Sequence, residues 1–126
     1  VLTGNRREKL PDICINVADS HVHKGDYSGA AFYYRRALSI SDSLNVTGQM
    51  GFPIYFGLGQ VYMELRDFEL SDNYYNLAWK YYASRNLKEK FTYCNNRGNF
   101  YYYKEDYQSH LLLVYLIIHY LYDYVF

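Results

Sequence analysis

Tyr55-Phe56-Gly57-Leu58-Gly59-Gln60-Val61-Tyr62-Met63-Glu64-Leu65-Arg66-Asp67-Phe68 is the stretch whose reading decides the fold. Tyr55, Leu58, Tyr62 and Leu65 recur at steps of three and four, the spacing of one face of an α-helix. A turn follows, closed by Asp67 just before the aromatic Phe68. An aspartate there is a good N-cap. Its carboxylate accepts from an orphan amide of the next helix and sits at the positive end of the dipole.

Working outward, the same Asp–aromatic pair returns on both sides. Lys24-Gly25-Asp26-Tyr27 precedes it and Lys104-Glu105-Asp106-Tyr107 follows it, each roughly forty residues away, a spacing typical of stacked helical repeats. Phe32-Tyr33-Tyr34-Arg35-Arg36-Ala37-Leu38 aligns with Asn73-Tyr74-Tyr75-Asn76-Leu77-Ala78-Trp79 at the same offset. Leu58-Gly59 and Tyr62 align with Arg97-Gly98 and Tyr101. Tyr27, Ala30, Ala31, Tyr34, Ala37 and Leu38 again step by three and four.

These signals predict an all-α fold, an α-solenoid of about three stacked antiparallel helical hairpins. Six helices are expected, over 10–23, 27–44, 53–65, 68–86, 88–104 and 107–125. The hairpin units run over about 11–44, 52–86 and 88–126, within one repeat domain covering 1–126. Residues 45–52, with Asn45, Gly48 and Gly51, read as a loop. Pro11 and Pro53 are expected near the starts of first helices, where a missing N–H costs nothing. The chain opens on Val1 and reads as a piece of a longer protein.

Composition narrows the function. Of 126 residues, 18 are tyrosine, which bury ring area while keeping a polar tip. That explains a mean hydropathy of −0.36 in a chain that is 50% hydrophobic. Formal net charge is zero, and no basic stripe appears of the kind that dominates nucleic-acid affinity. The tyrosines follow helical-core spacing, so packing outweighs base stacking. Cys14 and Cys94 form no CxxC and no regular framework. Two lone cysteines fit a reducing compartment, so a cytoplasmic location is expected, with the nucleus as the alternative.

No catalytic constellation or phosphate loop has a convincing context, so no enzyme activity and no cofactor are expected. His21 and His23, with Cys14, invite a zinc reading. Two positions apart on a helix, the histidines point about 200° apart and cannot share one ion there, so a core or rim role is expected. Leu111 to Phe126 is apolar nearly all round. It is short for a membrane span, with His119 and Asp123 interrupting it, so cover by a following element or partner is expected instead.

The pattern resembles the tetratricopeptide repeat in its longer form of about forty residues. The second unit carries it best, in Tyr55, Leu58, Gly59, Tyr62, Asp67-Phe68, Ser71, Tyr75 and Ala78. The first shows Cys14, Val17, Ala18, His21, Gly25-Asp26-Tyr27, Ala30, Tyr34 and Ala37. The third departs from it. Arg97 stands where a leucine is expected, and His110 where a small residue is expected.

The resemblance implies a concave groove lined by first helices. Its groove positions fall on Ile15, Asn16, Asp19 and His23, then Phe56, Gln60, Met63 and Glu64, then Asn95, Asn96, Asn99 and Tyr102. A clamp for C-terminal carboxylates, as in chaperone-binding members, is not implied, because those positions read Ile15, Asp19, Gly57, Thr92 and Asn96. Asn16 and Asn96 fit the asparagine ladder of kinesin light chains, with Gly57 interrupting it.

A protein-interaction module or scaffold follows, binding a neutral to basic protein or peptide and no nucleic acid. The alternatives are an assembly segment that docks a neighbouring chain or domain through the C-terminal helix, and a regulatory repeat region of a larger enzyme.

Overall fold

A computed structural model describes residues 4–104 and 107–125. Among these residues there are helices and turns but no strand. The helices are α1 (Gly4–Glu8), α2 (Leu10–His23), α3 (Tyr27–Ser43), α4 (Thr47–Glu64), α5 (Phe68–Trp79), α6 (Leu87–Tyr103) and α7 (Tyr107–Val125). A 3₁₀ turn, Tyr82–Ser84, follows α5. The chain divides between Ala83 and Ser84 into two compact units. In the first, α2 packs on α3, α3 on α4, and α4 on α5, so two helical hairpins are stacked. In the second, α6 packs on α7.

One short device ends α2, α3 and α4 and starts the helix after each. Gly25, Asn45 and Arg66 have φ of 76°, 56° and 64°, the left-handed region that turns the chain out of a helix. At the first turn Gly25 N–H donates to Val22 O at 2.9 Å, and Asp26 N–H donates to His21 O at 2.8 Å. The same two bonds recur at Asn45–Val46 and at Arg66–Asp67. At the first and third of these turns the closing residue is an aspartate, which then caps the next helix, whereas Val46 at the second offers no side-chain cap. Gly29 N–H donates to Asp26 Oδ1 at 3.0 Å, and Leu70 N–H to Asp67 Oδ1 at 3.2 Å. Each cap satisfies an orphan amide in the first turn of the helix it opens. The third expected cap, Asp106, lies outside the described residues.

Gly25→Ala tests the turn. Its left-handed backbone penalises a Cβ, although no atom crowds the site. A loss of about 1 kcal/mol is expected. Thermal unfolding should fall by roughly 4–8 °C; an unchanged midpoint would show that the turn relaxes.

Several core contacts pair a small residue with a large one, as the repeat pattern requires. A Cβ on Gly59 would stand 2.7 Å from Tyr75 Cδ1, and one on Gly51 would stand 2.7 Å from Tyr81 Cε2. Ser71, buried beside the same helix, donates its hydroxyl to Gly59 O at 2.7 Å. Ala18, Ala30, Ala31, Ala37, Ile54, Leu58 and Val61 complete one continuous apolar cluster.

The structure corrects the expected boundaries. There is no loop over 45–52: α4 starts at Thr47 and runs through Gly48, Gly51 and Pro53. Gly51 is there because the Tyr81 ring occupies the space of a side chain, not because the chain turns. Pro53 lies inside the helix and removes one ladder bond. Burial of Phe52 and Ile54 on either side offsets that loss. The helix expected over 68–86 ends earlier, at Trp79, whose ring stacks on Tyr82 at 4.5 Å. Asn86 caps α6, accepting from Glu89 N–H at 2.8 Å. Its Asn-x-x-Glu spacing could have been read as a helix start.

Candidate functional site

Helices α2 and α4 are the first helices of the two stacked hairpins and touch each other. Each leaves one stripe uncovered. On α2, Asp12, Asn16, Ser20 and His23 are exposed and Asp19 is half-buried. On α4, Gln49 is exposed, while Pro53, Phe56, Gln60 and Glu64 are half-buried. Steps of three and four keep each set on one helix face.

Six of the expected groove residues fall on these stripes: Asn16, Asp19, His23, Phe56, Gln60 and Glu64. Two do not. Ile15 is buried in the cluster with Cys14, Ala18 and Ala31, and Met63 is 2% exposed. Each is one position off the stripe, a rotation of about 100° that turns it inward. Asn95, Asn96, Asn99 and Tyr102 lie on α6 in the second unit, with Asn95 and Tyr102 exposed and Asn96 and Asn99 half-buried.

The polar groups on α2 are held by local bonds. Ser20 Oγ donates to Asn16 O at 3.1 Å, and His23 Nδ1–H donates to Asp19 O at 2.7 Å. Asp19 Oδ1 accepts from the hydroxyl of Tyr34, which reaches it from α3. Tyr34 is 3% exposed. Its ring lies against Gly57 of α4, where a Cβ would stand 2.6 Å from Tyr34 Cε1. The residue that interrupts the asparagine ladder is therefore the one that admits this ring. Sequence spacing marked Tyr34 as filling and gave no sign of its hydroxyl's partner. On α4, Phe56 stacks on Phe52 at 5.7 Å and meets Tyr75 edge-on at 6.0 Å.

Burial, followed by the bond to Asp19 and that group's charge, pushes the Tyr34 phenol well above the usual tyrosine range. A raised folded pKa means stability that is complete below the unfolded value of about 10 and lost as pH rises beyond it. Titration followed by tyrosinate absorbance should therefore leave the Tyr34 phenol, at least, un-ionised until the first unit unfolds in alkali. Smooth ionisation of every tyrosine in the folded chain would contradict this.

The stripes are acidic. Asp12, Asp19 and Glu64 stand on them, with no lysine or arginine at the positions named.

His21 lies elsewhere. Its Nδ1–H donates to Asp26 Oδ2 at 2.9 Å, and its ring stacks on Tyr33 at 5.3 Å. The Gly29 amide, chiefly, and then His21 hold the Asp26 carboxyl below the usual carboxylate range. Cys14 is buried, which pushes its thiol up. Among the described residues, no three His, Cys, Asp or Glu side chains are grouped to hold a metal.

The sequence model of the tetratricopeptide repeat matches residues 11–43 and 52–84, more than half of the chain. The chain belongs to the tetratricopeptide repeat family. No curated protein and no solved structure matches it significantly. The first matched repeat opens in the first turn of α2 and closes with the last residue of α3. The second takes in α5 and most of α4. Tetratricopeptide repeats mediate protein–protein interaction, so proteins are the partner class.

The α6–α7 pair lies beyond the matched repeats. Its odd residue, Arg97, is buried, with the guanidinium 4.9 Å from the Phe100 ring centre and 5.0 Å from that of Tyr101. Nη2 also donates to the Tyr101 hydroxyl at 3.0 Å. Arginine thus fills the leucine position by lying on aromatic faces. The His110 side chain is outside the described residues. Helix α7 leaves Leu112, Tyr115, Leu116, Ile118, Tyr122 and Tyr124 exposed. No helix among the described residues is long and apolar enough to cross a membrane.

Proposed function

We propose that this tetratricopeptide repeat protein is an interaction module or scaffold that holds an extended peptide or partner segment along α2 and α4, and catalyses nothing itself. The uncovered stripes carry the reading: amide, carboxylate and imidazole groups at helical spacing, beside the half-buried ring of Phe56. Asn16 and Gln60 suit hydrogen bonding to a peptide backbone, and Phe56 supplies apolar contact. Asp12, Asp19 and Glu64 favour a neutral to basic ligand over an acidic one or a nucleic acid. Within the second unit, Asn95, Asn96, Asn99 and Tyr102 offer similar chemistry. Two free cysteines suit a reducing setting, the cytoplasm or the nucleus.

Calorimetric titration against basic and acidic peptide pools is the test. Binding of the basic pool is expected, with the affinity of Asn16→Ala/Gln60→Ala weaker by roughly tenfold for two lost hydrogen bonds. Preference for the acidic pool would refute the reading.

The exposed apolar residues of α7 favour a second role, docking of a neighbouring chain or domain. Ile118 and Tyr122 are 62% and 61% exposed, on a helix with Asp123 as its lone acidic residue. If copies of the chain are what dock there, light scattering should show assembly that Ile118→Asp with Tyr122→Asp abolishes. A wild-type monomer counts against self-docking.

A further inference from the structure

We propose that Tyr34 is a positioning residue that sets the charge preference of the groove by fixing the Asp19 carboxylate. The inference rests on the groove reading above and assigns a function to a residue outside the lining helices. Tyr34 comes from α3, the second helix of its hairpin. Its ring is buried against Gly57, and its hydroxyl donates to Asp19 Oδ1. Three helices therefore meet in one contact: α2 gives the carboxylate, α3 the donor, and α4 the space. The ring is buried and the bond itself is part-buried, so letting go of Asp19 would cost the hydroxyl a bond to a charged acceptor that is only partly replaceable by water.

The geometry leaves the other oxygen available. Asp19 is half-buried, and its Oδ2 accepts no hydrogen bond from any described residue. His23 Nδ1–H donates to the carbonyl of the same residue, steadying that turn of α2. A carboxylate tied by one oxygen cannot swing away, so it offers Oδ2 with its rotamer already chosen. Pre-organisation of this kind raises affinity by lowering the ordering cost of binding. The group suited to Oδ2 is a lysine or arginine side chain of the ligand, which forms a charge-assisted hydrogen bond.

The experiment compares one lysine-containing peptide from the basic pool with the same peptide bearing glutamine in place of lysine. Calorimetry is run on wild type, Tyr34→Phe, Asp19→Asn and the double variant. Wild type should prefer the lysine peptide by roughly tenfold, the scale of one hydrogen bond to a charged group. Tyr34→Phe keeps the ring and frees the carboxylate, so the preference should drop to roughly threefold while glutamine-peptide affinity stays unchanged. Asp19→Asn should abolish the preference, and adding Tyr34→Phe should then change nothing further.

A merely structural Tyr34 would weaken both peptides equally, and that result overturns the proposal. So does an unchanged preference in Tyr34→Phe. Should Tyr34→Phe not fold, Asp19→Asn still decides, because a preference that survives it cannot pass through this carboxylate. Wild type that binds neither peptide sinks the groove reading and this role together. Binding with no role for Tyr34 sinks the role alone.

Discussion

Replacing Leu58 by alanine removes about 2–5 kcal/mol of stability. Leu58 is fully buried in α4, the helix that packs against both α3 and α5. It shares the apolar cluster with Ala18, Ala30, Ala37, Ile54 and Val61. Cutting it back loses the transfer energy of the removed carbons and leaves a void. Collapse into that void is restricted, because α4 is held on both sides. The melting midpoint, followed by circular dichroism, should fall by at least roughly 10 °C for a unit of this size. A fall of only a degree or two would mean that the hairpins slide together and fill the space.

Gly57→Ala should destabilise by about 1–3 kcal/mol, the usual cost of forcing a group into a packed core. The sign is the informative part. On helix propensity alone, alanine in place of an interior glycine should stabilise by about 1 kcal/mol. The added Cβ would meet the Tyr34 ring, whose hydroxyl is tied to Asp19 and whose surroundings are filled. The ring must move, and the bond to Asp19 must lengthen or break. Gly48→Ala is the control: nothing lies within 4 Å of its added Cβ, so the propensity gain should appear. Pairing Gly57→Ala with Tyr34→Leu should cost less than the sum of the two single changes, since the collision is removed. Urea unfolding of the four variants measures both sign and coupling. Strict additivity, or a stabilised Gly57→Ala, would show that the ring does not depend on the glycine.

Much of this fold is legible in the chain. The Asp–aromatic pairs marked two helix starts because capping is local: an aspartate bonds an amide three residues on, at Gly29 and at Leu70, wherever the helix later packs. Glycine was read less well. Gly25 marks a turn, whereas Gly51 and Gly57 sit inside α4. Their lack of a side chain serves rings that arrive from distant positions, Tyr81 and Tyr34. A sequence window holds the glycine but not the ring. That is why residues 45–52 looked like a loop and Gly57 like a gap.

The candidate groove divides the same way. Family positions placed six residues on the uncovered stripes of α2 and α4, because helical periodicity fixes a face to within about one position. They also took in Ile15 and Met63, which miss the stripe by one step and are buried.

By itself the sequence determined the helical class, the repeat of about forty residues, the caps and the acidic, amide-rich composition of the candidate groove. These follow from interactions within a few positions along the chain, or from comparing one unit with the next. The tertiary structure alone decided that Tyr34 reaches Asp19 past Gly57, that Arg97 lies on Phe100 and Tyr101, and which side chains stay uncovered. Such facts depend on how side chains project and on which helix faces meet. Those faces are fixed only when small and large residues from separate helices interlock.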